Sequence, residues 1–164
     1  MNKFHLALLA VAVVSLPILT SVNNNLYAQE ASEPMEEPME APELPEPPEN
    51  CVYLKEVSTG EMEIRNRLGL GNRNTDFAVP SGSNFTYYIP QIVAENNAKY
   101  GVQVYFKYSD GSSASVFQKT LPLQRFVRVS DQFHSPSERQ PYQINFNISS
   151  ARNNAYRVSV LGCQ

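Results

Sequence analysis

Past its first thirty residues the chain carries one histidine, His134, within Asp131-Gln132-Phe133-His134-Ser135-Pro136. A serine triad needs nucleophile, base and orienting acid brought together from separate elements, whereas these neighbours are consecutive in one polar stretch. His134 therefore reads as a surface-loop histidine. Transition-metal sites draw on clustered His and Cys, and besides His134 this stretch of chain offers only Cys51 and Cys163. Calcium needs a spaced acidic loop, which Asp110 and Asp131 do not make. No metal and no cofactor is expected.

Two further patterns imitate catalytic motifs. Gly69-Leu70-Gly71-Asn72-Arg73 has the glycines of a phosphate loop but neither further glycines nor a Gly-Lys-Ser/Thr ending, and it reads as a flexible loop. Glu61 and Glu63 would share one strand face, yet a glycosidase needs its carboxyls across a cleft, at roughly 5 to 9.5 Å. Beside Arg65 and Arg67 they read instead as a solvated, charge-alternating edge.

The set with binding chemistry is Lys107, Lys119, Arg125, Arg128 and Arg157, with the ring of Tyr105 among them. Gathered on one sheet face, these residues would steer an anionic polymer, a sugar or a protein by charge and stack on it through the ring. Tyr87 and Tyr88 are further candidates for stacking on sugar.

Positioning such a set requires strands. From Cys51 onward the chain is a succession of short runs with a two-residue period, separated by Gly, Asn, Asp, Ser and Pro. Cys51 to Val57 and Glu61 to Asn66 flank Ser58-Thr59-Gly60 as an expected first hairpin. Residues 67–83 read as a long loop, Phe85 to Ile89 as a strand closed by Pro90, and Gln91 to Lys99 as a turn or short helix. Val102, Val104, Phe106 and Tyr108 alternate with Gln103, Tyr105 and Lys107 ahead of Asp110-Gly111. A two-residue turn there sets Val104 opposite Phe117, Tyr105 opposite Val116 and Lys107 opposite Ala114. Leu123 to Ser130 follows as a strand and residues 131–141 as a loop. The apolar partners Ile144, Phe146, Ile148 and Tyr156, Val158, Val160 mark two last strands. Seven or eight short strands without an amphipathic helix predict an all-β fold, a small antiparallel β-sandwich, with a β-barrel as the alternative.

The flanks of this domain indicate its compartment. Met1-Asn2-Lys3, an apolar run from Leu6 to Leu19 and a polar exit form a signal peptide over residues 1–28. Residues 29–50 follow as an acidic Pro/Glu-rich linker with no Lys or Arg and a loose Glu-Pro-Met-Glu repeat, expected to stay disordered and extended. The formal charge of −3 averages this acidic segment with a domain that holds more Lys and Arg than Asp and Glu. Cys51 and Cys163, at the two ends of residues 51–164, are expected to form one disulfide, as an oxidising compartment allows.

Taken together, the sequence predicts an extracytoplasmic, secreted or periplasmic chain with no stable membrane span once the signal is removed. It is expected to be a non-enzymatic module that binds a protein or an envelope or extracellular polysaccharide, and not nucleic acid. A carbohydrate-binding module is one alternative. An exported hydrolase with its site in the 67–83 and 131–141 loops is the other. The acidic linker would fold back to mask the basic domain at low salt.

Overall fold

The computed structural model describes residues 40–69, 73–136 and 139–164, all within one compact unit, Pro38–Gln164. The signal peptide, the linker through residue 39, residues 70–72 of the Gly-rich stretch and residues 137–138 of the 131–141 loop lie outside the described residues.

Ten strands among the described residues form two antiparallel five-stranded sheets. The first sheet holds β1 (Cys51–Tyr53), β3 (Glu63–Arg67), β5 (Tyr87–Ala94), β8 (Arg128–Ser130) and β10 (Ala155–Cys163). In the second, β2 (Lys55–Glu56), β4 (Arg73–Ala78), β9 (Gln143–Ser149), β6 (Ala98–Lys107) and β7 (Ser113–Leu123) lie side by side in that order. The alternation read in the sequence is the alternation observed. Val102, Val104 and Phe106 of β6 and Ile144, Phe146 and Ile148 of β9 are buried, facing Ile92, Tyr156, Val158 and Val160 of the first sheet. Burying these two apolar faces against each other is the main favourable term of the fold. Tyr100 reaches across the core, its hydroxyl donating to the Ala155 carbonyl at 3.0 Å. The architecture is the sandwich, and the barrel alternative falls away.

Cys51 stands directly opposite Cys163, and the two sulfurs are bonded. The bridge closes a separation of 112 residues. Leu161, Tyr53, Tyr87 and Ile89 pack around it as a small apolar cluster on the outer side of the first sheet.

Five local expectations are corrected. The first hairpin is absent as such, because β1 and β3 both pair with β10, at Cys163–Leu161 and Ser159–Ala155. Between them the chain leaves that edge to pair Lys55 and Glu56 with Ala78 and Phe77 of β4. The turn after Glu56 forms nonetheless, with its carboxylate accepting from the Ser58 and Thr59 amides at 2.9 and 2.7 Å. Residues 67–83 contain β4, whose Thr75 and Phe77 are buried on the inner side. Its Asn-Thr-Asp composition conceals the alternation.

Pro90 does not end its strand, since β5 runs to Ala94 and pairs Pro90 with Val160. The Tyr88 amide points away from β10, to the Phe133 carbonyl. Two residues on, Pro90 would point the same way, just beyond the Ser130↔Gln91 pair where β8 ends, so the missing N–H costs no ladder bond.

The Asp-Gly hairpin keeps Val104 opposite Phe117 but sets Tyr105 opposite Ser115 and Lys107 opposite Ser113, with a register shift between Val104 and Tyr105. The turn is longer than two residues, with the Tyr108 amide donating to Ser112 O and Gly111 at φ 84°. A β-bulge at Val116 absorbs the extra residue. Finally, only Arg128–Ser130 of the expected strand 123–130 is a separate strand, because β7 runs to Leu123 and a turn follows with Phe126 at φ 61°.

Candidate functional site

The two outer faces of the sandwich divide the basic set read in the sequence. Arg128 and Arg157 lie on the first sheet. Glu63 accepts from Arg128 at 3.0 Å and from Arg157 at 3.5 Å. Glu95 accepts from Arg157 at 3.1 Å and from Arg65 at 2.6 Å. The Arg65 hydrogen bond, then that of Arg157, outweighs partial burial and holds the Glu95 carboxyl below its usual range. Gln91 Oε1 accepts from Arg128 and from the buried Ser159 hydroxyl. Residues 40–44 border this network. Ala41, Pro42 and Leu44 are half-buried, and the Glu43 carbonyl accepts from Arg128 at 3.3 Å.

Lys119 and Arg125 lie elsewhere. Lys119 pairs across from the inward Val102 and sits 5.5 Å from the Phe117 ring centroid, at the rim of a 240 Å³ slot between β7 and the three-residue β8. An inward charge on an edge strand is a known guard against edge pairing. Arg125 stacks at 4.4 Å on Phe126 in the turn after β7. Only Tyr105 and Lys107 occupy the outer face of the second sheet, so the single basic face is not formed.

That second face has a different chemistry. Strand register aligns Asn74, Asn147, Gln103 and Gln118 in one row across β4, β9, β6 and β7. The next row is Asp76, Asn145, Tyr105 and Ser115. Each follows from the two-residue period, because the neighbours of the buried apolar residues on the same strands must point outward. Asn147 Nδ2 donates to Asn74 Oδ1 at 3.1 Å, which leaves Asn147 Oδ1 and the Asn74 amino group without a partner among the described residues. Gln103 and Gln118 have no side-chain partner among the described residues.

The one charged pair on this face is internally neutralised, Lys107 Nζ lying 2.9 Å from Asp76 Oδ1 and Asn145 Nδ2 2.8 Å from the same oxygen. Burial alone would raise the Asp76 pKa, but the hydrogen bonds from Lys107, Asn145 and Gln143 outweigh it and lower it. Beside the amide row, Ser149, Gly101 and Thr120 align as a low lane. Together with Gln103, Gln118 and Asn147 they line a depression of 320 Å³. A Cβ at Gly101 would collide with the Ser149 hydroxyl.

The remaining candidates stand apart from this face. Tyr88 is buried to 1% exposure, with its pKa pushed up first by desolvation, and cannot present its ring to a ligand. Tyr87 is half-buried between the disulfide cluster and the His134 ring, 6.0 Å away. His134 Nδ1 lies 2.9 Å from the Thr86 carbonyl and so carries the proton, while Nε2 faces Gln132 at 3.3 Å. No serine hydroxyl or carboxylate is bonded to either nitrogen among the described residues. The Ser135 hydroxyl is engaged by Tyr108 and by the Arg139 carbonyl. Among the described residues no group of three or more His, Cys, Asp and Glu stands close enough to hold a metal, and no helix is long and apolar enough to cross a membrane.

Sequence reasoning missed the amide row. Gln103 and Asn147 were legible as residues on the wet side of their strands, but Asn74 lay in an expected loop, and alignment across four strands is a property of register.

No protein-family model matches the chain, nor does any curated protein. Solved structures with similar folds include a mutant of a family 29 carbohydrate binding module, 11% identical over 68% of this chain and 90% of that one, TM-score 0.42. A CBM4 structure is 17% identical over 71% of this chain and 96% of that one, TM-score 0.37. Pseudomonas aeruginosa AlgX is 11% identical over 65% of this chain, TM-score 0.44, and there the chain spans only 28% of the other protein. At these identities the likeness is one of fold, and what the face can bind follows from its own side chains.

Proposed function

We propose that this chain is an exported, non-enzymatic module that binds neutral polysaccharide on the outer face of its second sheet. The observation that carries the reading is the amide row Asn74, Asn147, Gln103 and Gln118. An amide both donates and accepts, as a sugar hydroxyl does, so a row of amides matches a ligand whose surface is mostly hydroxyls. The cores of protein interfaces are instead apolar and aromatic, which argues for a polysaccharide over a protein partner. Asp76 neutralises Lys107 and the amide row itself holds no charge, which favours a neutral chain over an anionic one. Tyr105, half-buried in the next row, offers its ring to a sugar reaching past the amides. The disulfide and the signal peptide read from the sequence both support an oxidising, extracytoplasmic compartment.

The test is retention of the disulfide-bonded protein on a panel of neutral polysaccharides, by pull-down and affinity electrophoresis. Gln103→Ala and Asn147→Ala are each expected to weaken retention about five- to tenfold through lost hydrogen bonds, and Tyr105→Ala by less. Retention untouched by all three substitutions, or no retention on any member of the panel, sinks the proposal.

A further inference from the structure

The outer face of the second sheet repeats across its strands and not along them. Asn74, Asn147, Gln103 and Gln118 recur once per strand, at the inter-strand spacing of about 4.8 Å. That spacing is close to the length of one sugar in an extended pyranose chain. Along β6 the outward residues recur only about every 7 Å and change character at each step, from Gly101 to Gln103, Tyr105 and Lys107. A chain laid along the strand would meet no repeating partner.

Relief agrees with register. On one side of the row the floor drops at Ser149, Gly101 and Thr120, where the 320 Å³ depression lies. Gly101 brings no side chain to it, and the Ser149 hydroxyl lies over the glycine, in the place a Cβ would take. Tyr105 is on the other side of the amides, four residues along β6 from Gly101, or roughly 14 Å, and so beyond the width of a single sugar chain.

Among the described residues both ends of the lane are open. No strand pairs with the far side of β7 among the described residues, and β2 reaches only Ala78 and Phe77 of β4, stopping short of Asn74. Among the described residues nothing on the sheet surface caps a chain end.

Resting on the carbohydrate reading, we propose that the bound polysaccharide crosses the strands in the Ser149–Gly101–Thr120 lane, hydrogen-bonded along one edge by the amide row. The site reads an internal stretch of an extended neutral chain, one sugar per strand, and spans about four sugars. Recognition of a chain terminus is not part of it.

The probes are cello-, xylo- and manno-oligosaccharides of two to six units, titrated calorimetrically against the disulfide-bonded protein. Affinity for the series that binds is expected to climb at least tenfold from two to four units and to level off by five. Reduction of the terminal sugar to its alditol should leave the hexamer unaffected. Thr120→Phe, an exposed position on the edge strand, should abolish binding by filling the lane with no change in thermal unfolding, whereas Tyr105→Ala should weaken it by less than threefold.

Full affinity already at two units, loss of affinity on capping the reducing end, or unimpaired binding by Thr120→Phe overturns the lane while leaving a carbohydrate site elsewhere on the face intact. Failure of all three series to bind overturns the lane and the carbohydrate reading together.

Discussion

The two outer faces of this sandwich are made by the same alternation and end up with opposite properties. On the first sheet every arginine read as a binding candidate is matched. Arg128 and Arg157 share Glu63, Arg157 and Arg65 share Glu95, the disulfide cluster lies at one end, and residues 40–44 run beside the ion pairs. On the second sheet the amides of Gln103 and Gln118 face outward unmatched among the described residues, Asp76 and Lys107 neutralise each other, and Lys55 and Lys99 stand exposed at the margins. Groups that have satisfied one another at partly buried positions hold a fold together. Polar groups left open to solvent, in register, have their bonding capacity available for a ligand. Two of the basic residues that stood out in the sequence, Arg128 and Arg157, thus belong to the matched face, and the inconspicuous amides to the open one.

The largest expected effect breaks the first face alone. Replacing Cys51 and Cys163 by Ser should cost about 2–5 kcal/mol of stability in urea unfolding, because the bridge restrains a long loop in the unfolded chain. Where the variant is still folded, its glycan affinity should match that of the native protein. A parallel loss of affinity would show that the two faces are not separable.

Next comes Glu95→Gln, which removes the shared acceptor of Arg65 and Arg157 at a side chain only 12% exposed. The half-exposed Arg65 arm is screened by solvent, and the expected cost is about 1–3 kcal/mol, most of it from Arg157 left without its partner. The sign of the pH dependence follows from the lowered Glu95 pKa. Stability from this carboxylate is complete above the ordinary glutamate value and is lost as pH falls through the lower folded one. Acid unfolding curves of native protein and variant should therefore converge below that window, and curves that stay parallel would remove Glu95 from the account.

The smallest effect sharpens the contrast. Raising salt from about 0.05 to 0.5 M should change glycan affinity by less than twofold, since a neutral chain offers no charge on which Lys55, Lys99 or Lys107 could act. A steep salt dependence would mean that the cationic residues do take part in binding.

How far the sequence carried the reading varied with the element. The strands at Val102–Phe106 and Ile144–Ile148 were plain, because burial of one side imposes a period of two on their composition. β4 was hidden, since Asn74 and Asp76 have turn-like side chains and only Thr75 and Phe77 show the alternation. Pro90 suggested a strand end because the sequence does not say which side its missing N–H faces. The Val116 bulge was equally invisible, and with it the true partners of Tyr105 and Lys107.

The sequence by itself determined most of the residues that face inward, that the fold is all-β, and that the two cysteines stand at the extremities of the domain. Those are consequences of local periodicity and of where the residues fall along the chain. Only the tertiary structure decided which outward residues share a face, which charges neutralise one another, and which amides align into a row. These depend on strand order and register, set by long-range pairing of segments far apart in sequence, and a shift of one residue in that pairing would send each side chain to the opposite side.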